Sequence, residues 1–297
     1  NPPIRKVNMP LKRNYARYAP TSGGNVYLYR DLDEFINCEP LTGISSISYG
    51  VGTLDLQLIR RETPNLVVVF HAAADPATST LPIFVGQSIT HDLEASILYL
   101  SDPSLDFGIP IGWFAGDKLR NLQHDLLRLI RYVASSIGAR NIIFQGSSAG
   151  GYAALYYSHE LPGSLAVAIN PQTNISAYHA DKVTQYFNTC WSGHPPHPVE
   201  AVTDLLELYS GSFSNNVLLL QNRGDQFHIE NHYLPWATQF ETLYAEKWCT
   251  LQGDWGNGHA APPPELQELV LKFALSFNGD WNSLMKEEDF EDGFKFA

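Results

Sequence analysis

The sequence predicts an α/β fold in which a mostly parallel sheet carries helices on both faces. Three observations lead there. Short runs such as LVVVF (66–70), LAVAI (165–169) and VLLLQ (217–221) are apolar without alternation, the pattern of strands buried on both sides. Helical periodicity occupies the intervals, most clearly over 118–137, where Leu119, Leu122, Leu126, Leu129, Ile130 and Val133 share one side. Between two of these units, residues 141–152 read NIIFQGSSAGGY, a short strand, a sharp glycine–serine turn and a helix.

Taken in order, residues 1–24 are rich in Pro, Gly, Asn and basic side chains and are expected to form an irregular arm. Strands are expected at 26–29, 44–49 and 54–59, the last alternating apolar and polar as a half-exposed antiparallel strand would. The buried strand 66–70 follows, then a strand at 97–100, the helix 118–137 ended by Gly138, the strand before the glycine–serine turn, its helix, and the strand 165–169. Segment 172–214 has a different texture, with Tyr178, Tyr186, Trp191 and an HPPHP run. It reads as a cap or lid insertion with a helix near 199–209. Strands at 217–221 and 248–251 and an amphipathic helix at 265–277 complete a single domain of 297 residues. The stretch 285–297 is expected to be an acidic tail.

A net charge of -12 argues against nucleic acid, whose phosphates demand basic patches. No run of eighteen apolar residues exists to span a bilayer. The N-terminal stretch lacks an apolar core of signal-peptide type, so a cytoplasmic location is expected. The missing initiator methionine leaves room for a removed leader. Three scattered cysteines, Cys38, Cys190 and Cys249, make neither a disulfide framework nor a zinc site and suit buried thiols in a reducing compartment. His194 and His197 sit in a proline-stiffened loop rather than a metal site, and neither a metal nor another cofactor is expected.

The turn fits G-x-S-x-G only when centred on Ser148, because a frame on Ser147 would need glycine where Gln145 and Ala149 stand. Such a turn lifts the serine oxygen above the sheet at a helix N-terminus, where backbone N–H groups favour an oxyanion. A serine nucleophile needs a base, and the base needs a group to orient it. Of ten histidines, His259 follows the last expected strand, and Asp225 follows the strand 217–221. Both loops therefore open at the same sheet end as Ser148. His228 and Asp254 are the rivals for base and orienting carboxylate, and His228 also qualifies as a pocket residue. His71 stands at the mouth, shaping the oxyanion loop. Oxyanion donors are expected from the N–H of Ala149 and from Ala72 or Ala73.

GSSAGG after a strand, HAAA after an earlier one and the order Ser–Asp–His together resemble the α/β-hydrolase superfamily over about residues 50–280. NPQTN (170–174) and QNRGDQFHIENHY (221–233) also resemble hydrolase-like proteins linked to bacterial surface polysaccharides. The acetyltransferase-like component of accessory Sec systems is one of these. HAAA in place of an HGGG-type loop departs from the lipase pattern. The resemblance implies a serine esterase working through an acyl-enzyme, on a small-molecule ester or an acyl ester of a carbohydrate. An acyltransferase with the same three residues is the first alternative, and a non-catalytic binding protein on this scaffold is the second. Tyr178, Trp191 and Trp236 are available to stack on a sugar ring.

Overall fold

In the computed structural model, residues 13–287 are described; residues 1–12 of the expected arm and most of the expected acidic tail lie outside them. Nine strands form one sheet: β1 (Val26–Tyr29), β2 (Gly43–Tyr49), β3 (Gly52–Ile59), β4 (Asn65–Phe70), β5 (Ser96–Leu100), β6 (Asn141–Ser147), β7 (Leu165–Ile169), β8 (Asn216–Asn222) and β9 (Trp248–Gly253). Their order is β1-β2-β3-β5-β4-β6-β7-β8-β9. β3 alone runs against the rest, pairing antiparallel with β2 and β5.

The continuous apolar runs lie in the middle of the sheet, as burial on both faces requires. Along β4, Leu66, Val68 and Phe70 enter one core while Val67 and Val69 enter the other, the two-residue period of a strand. The helices Leu122–Ser136 and Ala149–His159 cover the first face, and Pro264–Ser276 covers the second. Parallel pairing then brings the carboxyl ends of β4, β6, β7, β8 and β9 to one edge. Open α/β sheets bind ligands at that edge.

Five expectations change. The helix anticipated over 118–137 starts at Leu122, capped by the Asn121 side chain. A tight turn precedes it, closed by Arg120 Nε on Asp117 Oδ2 at 2.7 Å, and Leu119 points outward at 86% exposure. The helix anticipated near 199–209 is only Leu205–Gly211, capped by Asp204. A helix not anticipated, Ala180–Cys190, buries Val183, Tyr186, Phe187 and Cys190. The strand at 54–59 is antiparallel but not half-exposed, because the arm covers its polar side. There Gln57 donates to Thr21 at 2.8 Å, and Arg13 pairs with Asp55 at 2.9 Å and Asp106 at 2.7 Å. Of the cysteines, Cys190 and Cys249 are buried thiols, whereas Cys38 is exposed.

Candidate active site

Ser148 joins β6 to the helix Ala149–His159 with φ 57° and ψ −116°, a conformation that costs a non-glycine residue roughly 1–3 kcal/mol. The surrounding packing enforces it. Ser148 N–H donates to the Ile169 carbonyl at 2.9 Å, and its carbonyl accepts from Tyr152 N–H. Both motif glycines are required by close approach. A Cβ on Gly146 would stand 2.2 Å from the Gly150 carbonyl, and one on Gly150 would stand 2.6 Å from that of Phe70. The G-x-S-x-G spacing is thus the condition for strand, turn and helix to meet this tightly.

Two loops along the edge, the turn after β8 caps a short helix, Gln226–His228, with the Asp225 side chain. Asp225 Oδ1 accepts the His228 ring Nδ1–H at 3.0 Å, and Oδ2 accepts from His259 Nδ1. Burial opposes ionisation of Asp225, but the hydrogen bonds from His228 and His259 outweigh it and hold the carboxyl well below its usual range. Burial lowers the pKa of His228, against the pull of Asp225. The two imidazoles stack on one another with centroids 3.9 Å apart and planes 10° from parallel. His228 is buried, whereas the His259 side chain is 39% exposed.

Gln172, which the sequence reading did not single out as a site residue, fixes the protons in this cluster. Its Oε1 accepts from the buried Trp113 indole at 3.1 Å, so the amide nitrogen must face the other way. That nitrogen lies 2.7 Å from Ser148 Oγ and 2.6 Å from His228 Nε2. An amide nitrogen only donates, so His228 Nε2 accepts and its proton resides on Nδ1, toward Asp225. The lone pair of His228 is therefore occupied. Ser148 Oγ likewise accepts from Gln172, which leaves the serine proton free for another acceptor. His259 has Nδ1 on Asp225 and makes no hydrogen bond through Nε2 among the described residues. Trp113 reaches Gln172 from a strained pair, Trp113 and Phe114 both at φ 52°.

At the end of β4, His71 is buried between two backbone groups. Its Nδ1–H donates to the Ala72 carbonyl at 2.6 Å, while Nε2 accepts the Asp102 N–H at 2.9 Å. Burial lowers its pKa, so the ring stays neutral. Tying the Ala72 carbonyl to His71 turns the N–H of Ala73, on the far side of the same planar peptide, the opposite way. Ala149 heads its helix, so its N–H has no intrahelical acceptor.

Asn170 and Asn222 anchor the His259 loop. Asn170, at φ 40°, donates to the Ala260 carbonyl at 2.9 Å and accepts the Asn222 N–H at 2.7 Å. Asn222 donates to the carbonyls of Gly256 (2.9 Å) and Gly258 (2.8 Å) and accepts the Trp255 N–H at 2.9 Å. Both residues lie in the NPQTN and QNRGDQFHIENHY stretches, whose density of short polar side chains was the available signal. Beneath them His232 Nδ1 accepts the Thr173 N–H at 3.1 Å, and burial pushes its pKa down to about 3.

The remaining candidates divide clearly. Tyr178 joins the cluster, its ring 6.0 Å from those of His228 and Phe227 and 5.8 Å from Trp113. Trp191 and Trp236 do not; both are buried in the core. Asp254 pairs with Arg223 at the surface, at 3.0 Å. His194 and His197 are exposed. Asp225, His228 and His259 offer ligand atoms within 4.8 Å of one another. In this structure both imidazole Nδ1 atoms are hydrogen-bonded to the Asp225 carboxylate, and His228 Nε2 accepts from Gln172.

A nine-stranded sheet with one reversed strand, the serine elbow after β6 and the acid and histidine loops after β8 and β9 define the α/β-hydrolase fold. Solved structures of the same architecture include the capsule O-acetyltransferase of Neisseria meningitidis serogroup A. It is 13% identical over 91% of this chain and 99% of its own, with a TM-score of 0.55. An acylaminoacyl peptidase of Pyrococcus horikoshii is 14% identical over 85% of this chain and 42% of its own, with a TM-score of 0.55. The Glycosylation Associate Protein (Gap123) complex of Streptococcus agalactiae matches at 13% identity over 82% of this chain and 48% of that one, with a TM-score of 0.54. No protein-family model and no curated protein matches the sequence.

Proposed function

We propose that the protein is a serine esterase that works through an acyl-enzyme, with Ser148 as nucleophile, His259 as base and Asp225 as the group that orients the base. The observation that carries this reading is the Asp225–His259 hydrogen bond at the sheet edge that also holds the strained Ser148 turn. Ser148 Oγ attacks the ester carbonyl as His259 Nε2 takes its proton. The carbonyl oxygen becomes an oxyanion, received by the N–H groups of Ala149 and of Ala73 or Ala72. The Asp225 carboxylate, ionised at neutral pH, keeps the His259 proton on Nδ1 and favours the imidazolium. Collapse of the adduct breaks the C–O bond to the alcohol, which leaves with the proton from His259. Water then attacks the acyl-enzyme by the same steps in reverse.

On this reading Gln172 aims the serine. By donating to Oγ it leaves the hydroxyl proton for His259, and by capping His228 Nε2 it removes the competing base. A carbohydrate ester is the substrate class we favour, supported by the capsule O-acetyltransferase and glycosylation-associated complex among the solved structures of this fold. An open cavity beside Ala73, lined also by Asp75, Lys182 and Gln185, supplies hydrogen-bonding groups suited to a hydroxylated alcohol. If a sugar hydroxyl replaces water in the second half, the same residues make an acyltransferase. The cap role of 172–214 belongs to the same proposal, since Tyr178 stands over the histidine cluster.

One observation favours the non-catalytic alternative: Ser148 is only 4% exposed, with Gln172 against its oxygen. A fluorophosphonate probe with a panel of acyl esters decides the matter. Labelling at Ser148, with ester turnover, is the expected outcome. An unlabelled, inactive protein would leave a binding module on this fold.

A further inference from the structure

A second feature of the sheet edge is not used by the chemistry above. Beside the Ala72–Ala73 loop lies a cavity of about 340 Å³ on the face opposite the helix Ala149–His159. Ile83, Val85 and Ile89 wall it on one side, and Gln145 and Ser147 of β6 form its floor. Being two apart on a strand, Gln145 and Ser147 point to the same face. That face is otherwise apolar at this level: Ile143 precedes them in the row, and Gln145 sits between Val69 of β4 and Val167 of β7.

Gln145 is the anomaly. It is 4% exposed, yet its amide has no hydrogen-bond partner among the described residues, while it lines the cavity. Gln145 is not one of the sealed, unpartnered polar groups of the described residues, so its amide is reached from the cavity; a valine or leucine would fit the row but offer a ligand no polar group. The lining is mainly apolar, with Ser88 and Gln267 also on it; an amide facing such a space matches a ligand that is largely aliphatic and polar at one point. Strand geometry gives the position of that point. Ser147 lies one residue beyond the partner of Phe70, the last residue of β4, and Gln145 lies two residues deeper, about 6.6 Å along the strand.

We infer that this cavity binds a short aliphatic chain bearing a hydroxyl group several carbons from its entrance, with Gln145 as the group that selects the hydroxyl. The inference rests on the esterase reading only for its further statement that this chain is the acyl part of the substrate, because Ala72 and Ala73 line the cavity's rim.

Binding to the full chain carrying Ser148→Ala, read by ligand-observed NMR with the neutral amides hexanamide and 6-hydroxyhexanamide, tests it without catalysis. The hydroxylated amide is expected to bind roughly 3- to 10-fold more tightly, a gap that Gln145→Leu closes. Val85→Trp, at a residue 39% exposed at the cavity, should weaken both ligands at least about 10-fold while the thermal midpoint holds, because its indole occupies their space. Equal affinity of the two amides for the Gln145 protein, or binding indifferent to Val85→Trp, overturns the inference. Failure of the esterase reading appears separately, as absent probe labelling of the unmodified protein.

Discussion

At the scale of single residues, the proposed choice between two histidines on one carboxylate rests on which lone pair is free. His228 is the better-buried partner of Asp225, but its Nε2 already accepts from Gln172. His259 has no such commitment. His259→Ala is therefore expected to reduce kcat/KM for an ester by on the order of 10³-fold or more, as loss of a base does. His228→Ala should cost far less, through disorder of Gln172. Equal losses in the two variants would mean that the stacked rings exchange roles. Ser148→Ala should abolish probe labelling with the fold intact, whereas Ser147→Ala, on the cavity side of β6, should retain most turnover. Asp225→Asn should be the damaging amide substitution, since the carboxylate holds both histidines, and Asp254→Asn should be nearly silent because Asp254 meets only Arg223. Kinetics and circular dichroism on the six variants check these orderings.

At the scale of elements, the site is three loops tied by two asparagines. Asn222 alone satisfies three groups of the His259 loop. Asn222→Ala leaves those groups unpaired, and a loss of roughly 2–4 kcal/mol is expected at about 1 kcal/mol per neutral hydrogen bond plus desolvation. Urea unfolding measures it, with the midpoint falling while the slope stays constant; an unchanged midpoint would show that the loop is held otherwise. These ties also explain what was legible in the sequence. Strands β4, β6, β7 and β8 were visible because their burial on both faces writes an unbroken apolar run. The serine turn was visible because only glycine permits its close approaches. Asp225 and His259 followed from chain order. Gln172 was not visible, since its role depends on Trp113, 59 residues away, fixing which end of the amide faces Ser148. The helix Ala180–Cys190 was obscured because its buried positions are separated by Thr184, Asn188 and Thr189, residues of weak helix propensity. The covering of β3 was hidden because Arg13 reaches it from outside the strand's own pattern.

At the scale of the whole molecule, two pH effects of opposite sign compete. Lowering the pH toward the isoelectric value of about 5.2 reduces the self-repulsion of a chain with net charge -12, which favours the compact state. That term acts between exposed charges and is screened beyond about 8 Å at physiological salt. The buried histidines act the other way and are not screened. His71, His228 and His232 all have folded pKa values pushed below the ordinary 6.5 by burial, His232 to about 3. Between the folded and unfolded values the unfolded chain binds more protons, so stability rises with pH and is lost as pH falls below about 6.5. Each such group contributes a slope approaching about 1.4 kcal/mol per pH unit. Asp225 adds a loss of the same sign only at lower pH, once its unfolded counterpart, near 3.8, begins to protonate. The histidines should win. The thermal midpoint at 0.15 M salt is expected to be nearly level from pH 8 to 7 and to fall steadily from 6.5 to 5. His232→Asn, whose side-chain oxygen can still accept from Thr173 N–H, should be less stable at pH 8 but lose less on acidification, flattening the slope by close to one proton. A His232→Asn profile parallel to that of the parent protein would show that the proton uptake lies elsewhere, with His71 and His228 the next to replace.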